Sequence, residues 1–317
     1  MVRIITDSAA DFEPFELEKL NVACTPLSVM LADKEYRENI DLSKKQFYEL
    51  LESTGAAPQT SQPSPDLLFD EFKAAKDAGD EAVFISISSG ISGTYQTALI
   101  TKEDVECDDC YVVDSLTATA GERLLVEYAV RMRDEGKRAK EIVAALEEVR
   151  SKIVLTACID TLEYLYRGGR ISQTAYKLGT MAQVKPIIRF TPEGTIEVPA
   201  KAMGMRKGLD QLCKWLQAKK PDMNHKIYVV YTADRAVGET LAQRMAAYGY
   251  EIADDQIVPA GAVIGSHIGP GGCGIIYIAE KNMSETFRET VRFFLRIFWL
   301  FLISYRMIKE NTQEKRL

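Results

Sequence analysis

The sequence predicts an α/β fold of two α/β domains, the first on a parallel Rossmann-like sheet and the second on a mixed sheet. Short β-branched runs alternate with helix-spaced stretches from the first residues onward, which is the pattern of strands feeding helices in a parallel sheet. Apolar residues make up 46% of the 317, enough for a sizeable core in each half. In the second half two strand-like runs are joined by a tight-turn sequence, which no parallel crossover would produce.

The run VRIIT at 2–6 is a strand, DSAAD a turn, and FEPFELEKL a helix by its apolar spacing. AVFISIS at 82–88 precedes SGISGTYQTALI, and YVVDS at 111–115 precedes a helical stretch over 117–135. An amphipathic helix at 139–151 closes this half. The second half opens on IVLTACI at 153–159 and a helical stretch to 166. IIRF at 187–190 and TIEVPA at 195–200 flank TPEG, whose Pro and Gly predict an antiparallel pair. A helix at 205–219, KIYVVYT at 226–232, a helix at 235–248 and GIIYIA at 274–279 complete the mixed sheet. The predicted division is 1–152, 153–282 and an apolar, basic C-terminal extension, 283–317. Ligands of open α/β sheets bind at strand carboxyl ends, so the cleft between the domains is the expected site.

With 39 basic and 46 acidic side chains the net charge is −7, which disfavours nucleic acid and phosphate-rich partners. The six cysteines, at 24, 107, 110, 158, 213 and 273, are too few and scattered for a disulfide framework. Cys107 and Cys110 form one CxxC with no second pair or nearby histidine, so a surface loop is expected there rather than a zinc site. The start, MVRIITDS, has no charged stretch followed by an apolar one, so the expected compartment is the cytoplasm.

The extension carries seven basic against four acidic residues, a local +3 that leaves −10 for residues 1–282. Within it, FFLRIFWLFLISY opens at Phe293 and closes at Tyr305. As a helix it spans about 20 Å, short of the roughly 30 Å hydrocarbon core. Two readings stand: an interfacial helix making peripheral membrane contact, with Arg292, Arg306 and Lys309 among headgroups, or an adventitious extension packed on protein.

Several segments bear on chemistry. ISISSGISGTYQ at 85–96 sets serines, glycines and the first turn of a helix after a strand, which suits an anionic group; Ser92 as a helix cap is the alternative. No GK[ST] follows, so a nucleotide triphosphate is a poor match. In APQTSQPSPDLL at 57–68, Ser64 before Pro65 is a helix start, which leaves Thr60 and Ser61 free to face a ligand. His267 lies in the glycine cluster SHIGPGGCG, where backbone approaches closely; His225 reads as surface. LYRGGRIS at 165–172 presents Arg167 and Arg170 beside a helix break, either solvated or facing a phosphate or protein partner. No carboxylate pair stands out as acid and base, and the serines lack the hydrolase elbow.

Taken together, ITDSAAD (5–11), TSQPS (60–64), SSGISGTYQ (88–96), VDS (113–115), RGGRIS (167–172), VKPII (184–188) and HIGPGGCG (267–274) resemble the DegV family, in order over residues 1–282. The resemblance implies one long-chain fatty acid buried between the domains and presented to a separate ATP-dependent fatty-acid kinase for phospholipid synthesis. It implies a lipid-binding carrier with no catalytic group of its own, no metal and no cofactor beyond the bound fatty acid. The carboxylate is then expected at Thr60, Ser61, Ser92 and Gly93, with His267 close by, while Arg170 and Arg206 would face the kinase or the new phosphate. This chain departs from the family in TATAGER, 117–123, where Thr119 and Arg123 stand for the more usual Ser and Gly. The alternatives are a dihydroxyacetone-kinase-like substrate domain holding a small carbonyl compound on His267, and a membrane-tethered interaction module working through 293–305.

Overall fold

The computed structural model describes residues 1–179 and 183–280, so the apolar segment 293–305 lies outside the described residues. Strand β1 (Val2–Asp7) runs into a 3-10 turn, Ser8–Ala10, capped by the Asp7 carboxylate, which accepts the Ala9 N–H at 3.0 Å. Helix α1 (Pro14–Leu20) begins on a proline, where the missing amide costs nothing, and β2 (Val22–Thr25) returns parallel to β1.

The next stretch was not legible as strands. Strands β3 (Ser28–Leu31) and β4 (Lys34–Arg37) form a hairpin. Its two turn residues, Ala32 and Asp33, have φ of 50° and 61°. That left-handed turn matches strand twist, but Ala-Asp lacks the Asn-Gly signature that announces it. After helix α2 (Lys44–Thr54), strand β5 (Gln59–Ser61) pairs with β3, placing Val29 opposite Thr60. Gln59–Ser61 is thus the edge of a three-stranded antiparallel sheet, ordered β4-β3-β5.

Helix α3 (Pro65–Ala78) starts where expected, with Pro65 in its first turn, although the Ser64 hydroxyl makes no capping bond. Strand β6 (Glu81–Ser86), helix α4 (Thr94–Val105) and strand β7 (Cys110–Asp114) follow. Helices α5 (Ala120–Asp134) and α6 (Ala139–Arg150) complete this half. The sheet is parallel throughout, in the order β2-β1-β6-β7, and every residue of β6 is buried. Helix α5 starts later than its spacing predicts because Leu116 and Thr119 adopt φ of 54° and 51°. Cys107 and Cys110 are joined by a disulfide across the turn into β7. Both are buried against Phe72 of α3, which corrects the expected surface loop: the pair is covered by α3 where strand β7 begins.

The second half comprises β8 (Ile153–Cys158), α7 (Glu163–Arg167), α8 (Gln173–Gly179), β9 (Val184–Phe190) and β10 (Ile196–Met203). Then come α9 (Met205–Ala218), β11 (Tyr228–Tyr231) and α10 (Arg235–Ala246). Strand β12 (Ile257–Pro259), helix α11 (Ala262–Ile268) and strand β13 (Cys273–Ile278) end it. The sheet is ordered β10-β9-β8-β13-β11-β12. Only β11 and β12 pair in parallel within it, so the sheet is mixed. The β9–β10 turn meets the loop after β6: Ser88 Oγ donates to the Gly194 carbonyl at 2.7 Å.

Helix α5 joins the halves. Its Leu124, Leu125 and Val126 share one apolar cluster with Leu155, Tyr228, Val230 and Ile276 of the second sheet. Beside them Arg123 donates to Glu16 Oε2 at 3.1 Å and to Tyr228 Oη at 3.3 Å, so this departure from the family pattern is a buried tie rather than a ligand contact. Residue 152 lies in the turn before β8, yet Met1–Ala279 forms one compact unit.

Under α5 lies a second buried polar group. Thr6 Oγ1 donates to Glu122 Oε1 at 2.8 Å, and Glu122 hydrogen-bonds Asp7, whose pKa burial raises to about 7. Burial, then the Asp7 charge, pushes Glu122 up too. A raised carboxyl contributes full stability below its unfolded pKa and loses it as pH climbs through the folded value. Glu122→Gln needs no proton, so its stability relative to wild type should rise between pH 5 and 8, by roughly 1.4 kcal/mol per pH unit of proton retention. Thermal melts across that range check this; parallel curves would contradict it.

Candidate functional site

A cavity of about 430 Å³ lies between the layers, within the range of roughly 300–1,000 Å³ that holds small ligands. Leu27, Ile87, Ile91 and Ala118 line it from the first half, and Leu155, Ile188, Phe190, Val230 and Ile276 from the second. Its polar lining gathers around four segments. Thr60, Ser61 and Gln62 come from β5 and the residue after it, Ser92 and Gly93 from the start of α4, Arg170 from the turn after α7, and His267 from the last turn of α11.

Local sequence explains each placement. The prolines at 58 and 63 flank β5, and its pairing with β3 turns Thr60 toward α11. There Thr60 Oγ1 lies 2.8 Å from His267 Nε2. Ser92 Oγ accepts the Thr94 N–H at 3.3 Å and lies 2.9 Å from Thr94 Oγ1. Gly93 rather than Ser92 caps α4, and the Ser92 hydroxyl, bonded locally to Thr94, lines the cavity. Gly93 packs against Gln62, whose Oε1 lies 2.5 Å from where a Cβ on Gly93 would stand.

His267 is hemmed in. A Cβ on Gly168 would sit 2.2 Å from its Nδ1, and one on Gly269 2.4 Å from the Tyr164 ring. Nδ1 is buried without a hydrogen-bond partner. Burial, then the neighbouring Arg170 charge, pushes its pKa down to about 4; the imidazole is neutral at physiological pH. Such a ring offers a hydrogen bond at Nε2 and carries no charge.

Arg170 supplies the charge. Its Nε donates to the Ile91 carbonyl at 2.9 Å and its Nη1 to that of Gly168. No carboxylate offsets it among the described residues, and burial alone lowers its pKa. Arg170, expected to be solvated or to face a kinase, thus lines the cavity. Arg167 instead pairs with Glu163 on the surface, and Arg206, exposed in the first turn of α9, is not brought to the cavity.

Sequence reading singled out neither Gln62 nor the buried acids, and named Thr119 only as a departure from the family pattern. Gln62 and Thr119 line the cavity; Thr119 Oγ1 donates to Asp11, which holds it in its left-handed conformation. The buried acids Asp7, Asp11, Glu38 and Glu122 were also unseen, since they are scattered along the chain and only two fall in one motif. Apart from Arg170 and His267 the ionisable lining is Cys273, whose thiol burial pushes far up. No cluster of metal-ligating side chains occurs among the described residues.

A mostly apolar cavity with one cation that no carboxylate offsets among the described residues is suited to an anionic, apolar molecule. The family model described as an uncharacterised protein of the DegV family matches residues 1–280, and the chain belongs to the DegV family. A DegV domain-containing protein of Clostridium perfringens is 33% identical over 286 residues, covering 88% of this chain and 98% of the relative. Among solved structures, a fatty-acid-binding DegV family protein from Thermus thermophilus is 29% identical with a TM-score of 0.79, covering 88% of this chain and 99% of that one. A stearic-acid-binding protein from Eubacterium ventriosum is 26% identical with a TM-score of 0.79, covering 88% and 98%.

Gly168→Ala should push the His267 ring off Thr60 and lower stability by about 1–3 kcal/mol, the usual cost of overpacking. Histidine ring signals by NMR and a urea midpoint measure both effects. An unmoved ring would contradict the geometry.

Proposed function

We propose that this chain binds a single long-chain fatty acid in the cavity and presents its carboxylate to a separate ATP-dependent fatty-acid kinase. The observation that carries the reading is the half-buried Arg170 guanidinium, without an acidic partner among the described residues, facing a lining otherwise neutral and mostly hydrocarbon. A carboxylate set among Thr60, Ser61, Ser92, the Gly93 backbone and His267 would offset that charge, and charge-assisted bonds would repay its desolvation. The acyl tail adds about 0.8 kcal/mol per buried methylene. The fatty-acid-binding relatives from Thermus thermophilus and Eubacterium ventriosum support the same ligand class.

In this reading the chain is a carrier working in the cytoplasm, and the chemistry belongs to the kinase. A small carbonyl compound on His267 is the weaker alternative: Nε2 is engaged by Thr60 and Nδ1 faces Gly168, so neither nitrogen is presented as a nucleophile.

Solvent extraction and mass spectrometry of the purified chain should yield one fatty acid per protein, and a clean chain that also refuses oleate would sink the proposal. Arg170→Gln should weaken oleate binding about tenfold or more, and Ser92→Ala by a few-fold. Arg206→Ala should keep its lipid yet yield less acyl phosphate with kinase and ATP, as befits an exposed contact.

Peripheral membrane contact belongs to the same proposal, through Phe298, Trp299 and Phe301 of the segment 293–305. No helix among the described residues is long and apolar enough to cross a membrane. Replacing those three aromatics by serine in the full chain should reduce flotation with anionic liposomes; equal flotation would remove the contact.

A further inference from the structure

Two buried carboxylates that do not themselves line the cavity hold the helix bearing His267. Asp11 Oδ1 accepts the Gly261 N–H at 2.7 Å and Glu38 Oε1 accepts the Val263 N–H at 2.9 Å. Both acids are almost fully buried, at 1% exposure each. They converge on Gly261, the residue that caps α11: a Cβ there would lie 2.3 Å from Glu38 Oε1 and 2.9 Å from Asp11 Oδ1. The other Asp11 oxygen takes the hydroxyl of Thr119 on the cavity wall opposite. Lys44 Nζ bonds the Asp11 carbonyl at 2.7 Å, and Tyr48 Oη the Ala260 carbonyl at 3.1 Å. Helix α11 contributes Val263, Ile264, His267 and Ile268 to the cavity, so its depth and rotation set both the polar end and part of the tail wall.

We infer that Asp11 and Glu38 are positioning residues which, through α11, seat His267 against Thr60, and that a proton held on Glu38 keeps the lipid head group tightly bound. This rests on the fatty-acid reading above. The physical reason is like-charge crowding. Two carboxylates aimed at one backbone segment cannot both ionise cheaply, and Lys44 is the one cation close to both. Burial first, and the Asp11 charge second, raise Glu38 to about 7. The other groups facing this pair are the neutral Tyr48 and Cys24, with Asp7, Glu122 and Arg123 beyond Asp11. Losing the Glu38 proton adds a buried negative charge behind α11, which opposes a second anion in the cavity.

The test is oleate affinity of the full-length, delipidated chain between pH 6 and 8.5, with the His267 ring followed by NMR. Wild-type affinity should fall with rising pH, and Glu38→Gln, which keeps the acceptor and the shape, should flatten that slope. Glu122→Gln should leave it in place. Glu38→Ala should weaken oleate about tenfold and move the His267 signals, and adding Thr60→Val to it should cost little more. A Glu38→Gln slope equal to wild type, or fully additive losses in the double variant, would overturn the inference while leaving fatty-acid binding intact. If the wild type refuses oleate, the fatty-acid reading falls, and unmoved His267 signals in Glu38→Ala would overturn the positioning role separately.

Discussion

An arginine side chain half withdrawn from water, with carbonyl oxygens but no carboxylate among the described residues to meet it, is the constraint on which the rest of the site depends. Burying an unpaired charge costs several kcal/mol, and a protein could relieve it by placing an acid nearby. The buried acids of this chain are committed elsewhere: Asp7 to the Ile87 amide, Asp11 and Glu38 to the start of α11. The positive charge is thereby kept for whatever enters. In the proposed reading the guanidinium selects the sign of the ligand, and the hydrocarbon lining sets how strongly it is held.

The cavity itself is space that α5 does not fill. Ala118 and Thr119 line it immediately before the first residue of that helix, and positive φ at Leu116 and Thr119 turns the chain aside there. Beyond that point α5 occupies the same interlayer with Leu124, Leu125 and Val126. On the facing sheet Ala157, Gly272 and Gly274 leave the surface shallow. At Gly274 a Cβ would stand 2.8 Å from the Thr156 carbonyl, so the strand passes too close to its neighbour for any side chain. Small residues on one wall and a delayed helix start on the other make the room together.

Much of the architecture was legible because its signals are local. The β-branched run of β6 and the Thr-Pro-Glu-Gly turn each act over a few residues, and both gave the element they predict. The three-stranded sheet was not legible, since its turn uses Ala32 and Asp33 and its edge strand has only three residues. In the site, Thr60, Ser61, Ser92, Gly93 and His267 sit in motifs and converge on the cavity. Thr119 and the acids depend on contacts across more than a hundred residues, such as Asp11 with Gly261. Arg206 shows the opposite limit: a motif suggests a duty, and only placement in space tells whether a residue reaches the cavity.

The neutral imidazole and the protonated acid divide the work of pH between them. His267, with its pKa pushed down to about 4, does not change charge over the range in which most cells operate, so its contact with Thr60 is a fixed hydrogen bond between neutral groups. Glu38, raised to about 7, does change charge there, and it does so behind the helix rather than in the cavity. A titrating group placed inside the pocket would compete with the ligand for Arg170; one placed behind α11 acts only through the field and the seating of the helix. In the proposed reading the ligand's head is held by unvarying contacts while Glu38 responds to pH, because Glu38 bonds the start of α11 and His267 stands in its last turn.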